Sequence, residues 1–210
     1  MGLFKKNPFG HIQFIKLWII RILGVMSHRR FNGFNELHIE GSDVIKNLPE
    51  TNVLFVSNHQ TYFADVVAMF HVFNASLSGR TDSIKNVGYL WKPKLNIYFV
   101  AAKETMKDGL LPKIMAYAGS VSIERTWRSE GKEVNRQVKM SDVSNISKAL
   151  DDGWLITFPQ GTTKPWRPIR RGTAHIIKKN KPIVVPIVID GFRRSFDKKG
   201  LRIKKRGILQ

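Results

Sequence analysis

Val53-Leu54-Phe55-Val56-Ser57-Asn58-His59-Gln60-Thr61-Tyr62-Phe63-Ala64-Asp65 is the stretch that decides the fold. Its first four residues are a short apolar run, the pattern of a buried strand. The run that follows, Val66-Val67-Ala68-Met69-Phe70, predicts a helix over about 62–74. A histidine therefore stands where a strand ends and a helix begins. In open α/β sheets, ligands bind at the carboxyl ends of the strands. Asp65, one to two helical turns on, can approach the same imidazole. A carboxylate accepting from one ring nitrogen leaves the other free to take a proton. The plainer alternative is a capping or packing histidine.

Strand and helix signals alternate on both sides of this stretch. Glu36-Leu37-His38-Ile39-Glu40 alternates as a strand and stops at Gly41. Residues 75–96 read as a loop or short helices. Tyr98-Phe99-Val100-Ala101-Ala102 is a second buried strand, ending at Lys103-Glu104. A helix over about 110–118 leads into a short strand, Gly119 to Arg125, with an arginine at its end. Residues 126–138 are charged and read as exposed. A helix follows over about 140–151, with Ser141 as its expected cap. Trp154-Leu155-Ile156-Thr157-Phe158 is a third buried strand, running into the loop Pro159-Gln160-Gly161-Thr162-Thr163. A helix over 172–179 and an apolar run from Pro182 to Ile189 complete the series. The alternation predicts an α/β fold with a mostly parallel central sheet flanked by helices. Such a sheet brings His59 with Asp65, Lys103, Arg125 and the 159–163 loop to one edge.

The 210 residues, 42% hydrophobic, suffice for one sizeable core with an appendage. There is no cysteine, which excludes disulfides, a thiol nucleophile and cysteine-bound metal. The net charge of +19 calls for a polyanionic partner: nucleic acid, an anionic membrane or a phosphorylated ligand. Residues 1–10 are expected to be mobile. Residues 11–26 are mainly apolar, with Gln13, Lys16, Arg21 and Gly24 on one narrow helical stripe. Their uncharged runs fall short of the ~20 residues that span a bilayer. Arg21 interrupts the apolar region and no small-residue cleavage site follows, which argues against a secretory signal. Two readings remain. One is an amphipathic helix in the membrane interface, with Lys16 and Arg21 reaching for headgroups. The other is a helix packed on the domain's own core. His28, Arg29 and Arg30 add a basic flank, so the chain divides into 1–30 and a domain over 31–210.

No G-x-S-x-G is present, which argues against a nucleophile-elbow hydrolase. The chain also lacks H-E-x-x-H, a P-loop and the dinucleotide glycine fingerprint. Residues 193–206 carry a dense run of Lys and Arg, which together with the net charge fits a nucleic-acid binder. No recognised nucleic-acid motif accompanies it.

Four blocks occur in order: Asn58-His59 with Asp65, Gly119 to Arg125, Phe158-Pro159-Gln160-Gly161-Thr162-Thr163, and Val185-Pro186-Ile187. Their order and spacing resemble the glycerolipid acyltransferases, the 1-acylglycerol-3-phosphate acyltransferase-like family, over about residues 36–190. That family carries N-H-x4-D, G-x5-R, F-P-E-G-T-R and V-P-hydrophobic blocks. Three departures stand out here. Five residues separate His59 from Asp65 instead of four, Gln160 replaces the Glu, and Thr163 replaces the terminal Arg. The resemblance implies acyl transfer from an acyl thioester, on coenzyme A or acyl carrier protein, to a lysolipid hydroxyl. The foremost acceptor is 1-acylglycerol-3-phosphate, giving phosphatidic acid; a non-phosphate lysolipid, such as a lyso-aminolipid, is the alternative. His59 would be the general base and Asp65 its partner. Lys103, Arg125, Gln160, Gly161 and Thr162 would bind substrate, backbone N–H groups near Gly161 facing the oxyanion. For Arg125 the alternative is an ion pair with Glu124 or Glu130. No metal, cofactor or specific nucleic acid is implied. The expected location is peripheral, at the cytoplasmic face of the cell membrane, against an anionic surface.

Overall fold

The computed structural model describes residues 4–106, 110–124, 128–129, 132–133 and 139–210. The chain begins with α1 (Gln13–Phe31), β1 (Glu36–Leu37), β2 (Val53–Ser57), α2 (Ala64–Leu77), β3 (Ile97–Ala102), α3 (Leu110–Ala118) and β4 (Ser120–Ile123). It continues with β5 (Arg128–Ser129), β6 (Lys132–Glu133), α4 (Met140–Asp152), β7 (Trp154–Thr157), α5 (Arg171–Asn180), β8 (Ile183–Ile187), α6 (Phe192–Ser195) and β9 (Ile208–Leu209). Five strands form one sheet in the order β4-β3-β7-β2-β8, and every pairing in it is parallel. This is the α/β architecture the alternating pattern predicts.

The central strands read as unbroken apolar runs because both of their faces are covered. Phe55, Phe99, Trp154 and Ile156 point to one side, where they meet Met69 and Phe73 of α2. Leu54, Tyr98, Val121 and Leu155 point to the other, against Ile146, Ala149 and Leu150 of α4. Register keeps each set in a row, with Phe55 opposite Ile156 and Leu54 opposite Leu155. Parallel pairing brings all five carboxyl ends to one edge. β2 and β7 are neighbours, so the loops after Ser57 and Thr157 emerge side by side.

The ends of the chain depart from expectation. The predicted strand over 36–40 narrows to β1, which pairs in parallel with β9. The basic run of 193–206 is folded into the domain, because Phe192, Phe196 and Leu209 around it are fully buried. Residues 4–10 also pack on the domain: Asn7 Oδ1 accepts from the N–H groups of Phe9 and His11, and the Phe9 ring sits 5.3 Å from Tyr98. Lys139, not Ser141, precedes the first turn of α4, and its side chain makes no cap hydrogen bond.

Helix α1 inverts the usual arrangement of its faces. Lys16, Ile20, Gly24, His28 and Phe31 form its buried stripe. Phe14, Trp18, Ile22 and Met26 form an exposed one. Gly24 permits the close contact, since a Cβ there would stand 2.7 Å from Leu90 Cδ1. Lys16 therefore does not reach for headgroups; it is 1% exposed, its Nζ lies 4.6 Å over the Tyr98 ring, and it has no hydrogen-bond partner among the described residues. Arg21 is held between Trp18 and Trp91, at 5.2 and 5.1 Å, and donates to the carbonyls of Leu90 and Trp91. No helix among the described residues is long and apolar enough to cross a membrane.

Burial pushes the Lys16 ammonium from its ordinary value down to about 7, with Asp152 acting weakly the other way. A base with a depressed folded-state pKa is charged in the unfolded chain and neutral in the fold between the two values. Folding stability therefore rises with pH from about 7 to about 10.5 through this group, and its burial penalty is greatest below about 7. Lys16→Met should raise the denaturation midpoint by the largest amount at pH 6, with the gap to wild type closing toward pH 10. Equal midpoints at pH 6 would show that Lys16 carries no such penalty.

Candidate active site

The loop between β2 and α2 is organised by one buried carboxylate. Asp65 lies in the first turn of α2 and is 0% exposed. Its Oδ2 accepts from His59 Nδ1 at 2.9 Å, from Gln60 N at 2.6 Å and from Thr61 N at 3.1 Å. Its Oδ1 accepts from the Thr61 hydroxyl at 2.6 Å. The extra residue between His59 and Asp65 is absorbed here. The backbone of 60–63 curls around the carboxylate before α2 begins at Ala64, so the helix needs no widened first turn. Ala64, at the family's usual acidic position, packs into the core instead.

Asp65 also fixes the imidazole. An ionised carboxylate only accepts, so Nδ1 carries the proton and Nε2 presents its lone pair. The ring stacks on Phe158, with centroids 3.9 Å apart and planes 18° from parallel. This stack follows from the β2–β7 pairing, which places the residue after Thr157 beside the residues after Ser57. Two neighbouring amides hold the loop to the end of β8. Asn58 donates to Ile189 O and accepts from Ile189 N, both at 2.8 Å. Gln60 donates to Ile189 O and Asp190 Oδ1 and accepts from Arg193 N. Among the described residues, Nε2 of His59 has no protein partner.

His59 opens onto a cavity of about 1110 Å³ between the carboxyl edge of the sheet and helices α4 and α5. Val100, Ile123, Val143, Ile146 and Ile176 give it an apolar interior. Its wall also holds cations, among them Lys164, Arg171, Lys179 and Lys198. Among the described residues no group of His, Asp and Glu is arranged to hold a metal.

The remaining sequence-predicted site residues divide. Gly161 and Thr162 line the cavity. The Gly161 N–H, however, donates to Phe158 O at 2.9 Å within the turn, so it is not free to face an oxyanion. Gln160 is not on the wall; its amide donates to Arg167 O at 2.9 Å, a bond that a carboxylate in its place could not make. Lys103 is also off the wall. It lies 3.3 Å from Asp142 and 3.6 Å from Glu124, so two carboxylates already neutralise it. Arg125 lies outside the described residues. Phe158 as a partner of His59, and Lys198 as a wall residue, were missed. Phe158 was visible as a strand end but not as a ring against the imidazole; Lys198 was visible only as one charge in the basic run of 193–206.

Comparison with known proteins agrees with the geometry. The profile of the acyltransferase family matches residues 36–190, from β1 past the end of β8. A 1-acyl-sn-glycerol-3-phosphate acyltransferase of Cocos nucifera is 28% identical over 202 residues. That alignment takes in 94% of this chain and 51% of the relative, so the chain spans about half the length of the curated relative it matches. The matched stretch includes His59, Asp65 and the 158–163 loop, and it covers well over half of the sequence: this chain belongs to the acyltransferase family.

Proposed function

We propose that the chain transfers an acyl group from a thioester, on coenzyme A or acyl carrier protein, to the hydroxyl of a lysolipid. The observation that carries this reading is the His59–Asp65 pair at the mouth of an apolar cavity. The acceptor hydroxyl gives its proton to Nε2 of His59 as its oxygen attacks the thioester carbon. The resulting imidazolium is stabilised by Asp65. The tetrahedral intermediate collapses, the carbon–sulfur bond breaks, and Nε2 returns the proton to the leaving thiolate. With no cysteine and no nucleophile elbow in the sequence, transfer is direct, without an acyl-enzyme. The backbone N–H groups of Thr162 and Thr163, residues that line the cavity with His59, would take over the oxyanion role from Gly161. The apolar interior takes the acyl chain.

The activity named for the Cocos nucifera relative makes 1-acylglycerol-3-phosphate the first acceptor to try, giving phosphatidic acid. The test is direct. Protein in neutral detergent is offered acyl-CoA and acyl carrier protein thioesters with a panel of lysolipids, and products are read by mass spectrometry. Diacyl product from a lysophosphatidate supports the reading. Product only from lysolipids without a phosphate shifts it to the lyso-aminolipid class, and no product with any pair removes it.

The exposed stripe of α1 supports peripheral attachment to an anionic membrane surface. Phe14, Trp18, Ile22 and Met26 are between 42% and 70% exposed on one side of a helix whose other side is core. A bilayer would bury them, at about 1.5–3 kcal/mol for each large side chain, and the net charge would add attraction to anionic lipid. Because α1 also carries core residues, deleting it would unfold the domain and test nothing. Trp18→Glu with Ile22→Glu should instead lower vesicle partitioning by at least about tenfold and leave the unfolding midpoint nearly unchanged. Unaltered partitioning would remove the stripe as the contact.

A further inference from the structure

Lys198 lies beyond the stretch that matches the family, yet the fold brings it to the cavity that His59 lines. Backbone contacts put it there. Residues 196–203 turn back on themselves through the Phe196–Ile203 bridge. Asp197 Oδ1 secures the turn by accepting from the N–H groups of Leu201 and Arg202, at 2.8 and 3.0 Å. The carbonyls of Lys198 and Lys199 then accept from Tyr62 N and Phe63 N, at 3.1 and 3.0 Å. The hairpin is thus bonded to the same loop that carries His59. Gly200 makes this approach possible. Its φ is +78°, and a Cβ there would stand 2.6 Å from Ala64 N and 2.9 Å from Thr61 Oγ1. Fully buried Phe192 and Phe196 fix the hairpin's base.

The charge balance of the site gives this position its meaning. Thr163 stands where the family motif ends in arginine, and it is 8% exposed. Lys103 is neutralised by Glu124 and Asp142. Lys198 is exposed on the cavity wall, with its Nζ 5.6 Å from the Tyr62 ring and no carboxylate partner among the described residues. We propose that Lys198 binds the anionic headgroup of the acceptor, a phosphate monoester, and supplies from the C-terminal hairpin the cation that position 163 lacks. An ammonium presents three donors to phosphate oxygens and makes charge-assisted hydrogen bonds with them. The assignment of the acceptor rests on the acyl-transfer reading; the presence of an anion site does not.

The test separates the two. Glycerol 3-phosphate binding to the His59→Ala protein, measured by calorimetry, needs no turnover. Lys198→Ala in that background should weaken it about tenfold, a change of about 1.4 kcal/mol. Lys198→Arg should restore most of it. Lys205→Ala removes the same charge from an exposed position off the cavity wall, and should change it less than about twofold, within the range of screened surface charge. In the otherwise wild-type protein, Lys198→Ala should raise the KM for lysophosphatidate about tenfold and leave kcat and the donor KM within about twofold. Equal effects of Lys198→Ala and Lys205→Ala, or no glycerol 3-phosphate binding at millimolar concentration, overturn the proposal. Binding that depends on Lys198 in a protein with no acyl transfer would uphold the anion site and remove the acyl-transfer reading.

Discussion

His59→Ala should lower acyl transfer by about 10²–10⁴-fold, the usual range for loss of a general base, while the protein stays folded. The folded part of this expectation comes from the geometry around Asp65. Removing the imidazole takes one donor from that carboxylate but leaves Gln60 N, Thr61 N and the Thr61 hydroxyl in place. The buried charge is therefore not orphaned, which is the usual route to a large stability loss. The stack on Phe158 is lost, and aromatic pairs of that kind contribute about 0.5–1.5 kcal/mol. Among the described residues the cavity is also lined by Glu104, Glu124, Asp142 and His175; Glu124 and Asp142 are bonded to Lys139 and Lys103, the exposed His175 has no carboxylate behind it, and none of the four is shown to make the His59-type contact with a buried carboxylate. The check is single-turnover acyl transfer by His59→Ala and His175→Ala beside the unfolding midpoint of each. A His59→Ala protein that keeps more than about a tenth of the wild-type rate would remove His59 as the base.

The parts of this fold that were legible in the sequence are those governed by short-range pattern. Val53–Val56 and Trp154–Thr157 announce buried parallel strands because both their faces are apolar. Once the strands are parallel, the gathering of His59, Thr162 and the β3 and β4 ends at one edge follows from topology. The His59–Asp65 contact was legible as well; what was not legible is which of the other side chains are left free by partners from distant parts of the chain. Lys103 stands at the predicted strand end, but whether a cation is free depends on Asp142, which reaches it from another helix. Gln160 stands inside a recognised motif, yet its amide turns to Arg167 O because an uncharged donor can satisfy that carbonyl. The stripe of α1 was legible in period but not in sign. A buried lysine and histidine beside exposed Trp18 and Ile22 oppose every hydrophobicity rule that assigns the inner face; the face is settled by long-range contacts, Gly24 against Leu90, His28 with Ile84 O and Phe31 with Phe192 and Phe196. The Lys198 hairpin showed locally as basic charge but not as part of the site, because its contacts to Tyr62 and Phe63 are backbone hydrogen bonds from a distant part of the chain.

Asp65→Asn should keep the histidine tautomer and still lose about 10²-fold in rate, which makes it a different experiment from the same substitution in a Ser-His-Asp triad. In such a triad the amide N–H₂ turns to the imidazole, forces the wrong tautomer and lowers kcat by about 10⁴. Here the surroundings choose the other orientation. The Oδ2 position receives three donors: His59 Nδ1, Gln60 N at 2.6 Å and Thr61 N. An N–H₂ there would face two backbone N–H groups that cannot turn away. The amide oxygen must therefore take that place, and the N–H₂ goes to the Oδ1 position, where the Thr61 hydroxyl can reverse and accept. His59 Nδ1 stays protonated and Nε2 keeps its lone pair. What is lost is the negative charge that stabilises the imidazolium formed during transfer, together with part of the bond to Thr61 N. Asp65→Ala is the contrasting variant. It strands the Gln60 and Thr61 N–H groups without an acceptor, and each such group costs about 1–3 kcal/mol where buried. It should lose both stability and rate. ¹⁵N chemical shifts of His59 decide the matter: Nε2 should stay unprotonated in wild type and Asp65→Asn alike, with the asparagine protein folded and slow. A protonated Nε2 in Asp65→Asn would show that the backbone does not dictate the amide's orientation, and a fully active Asp65→Asn would show that His59 works without its carboxylate.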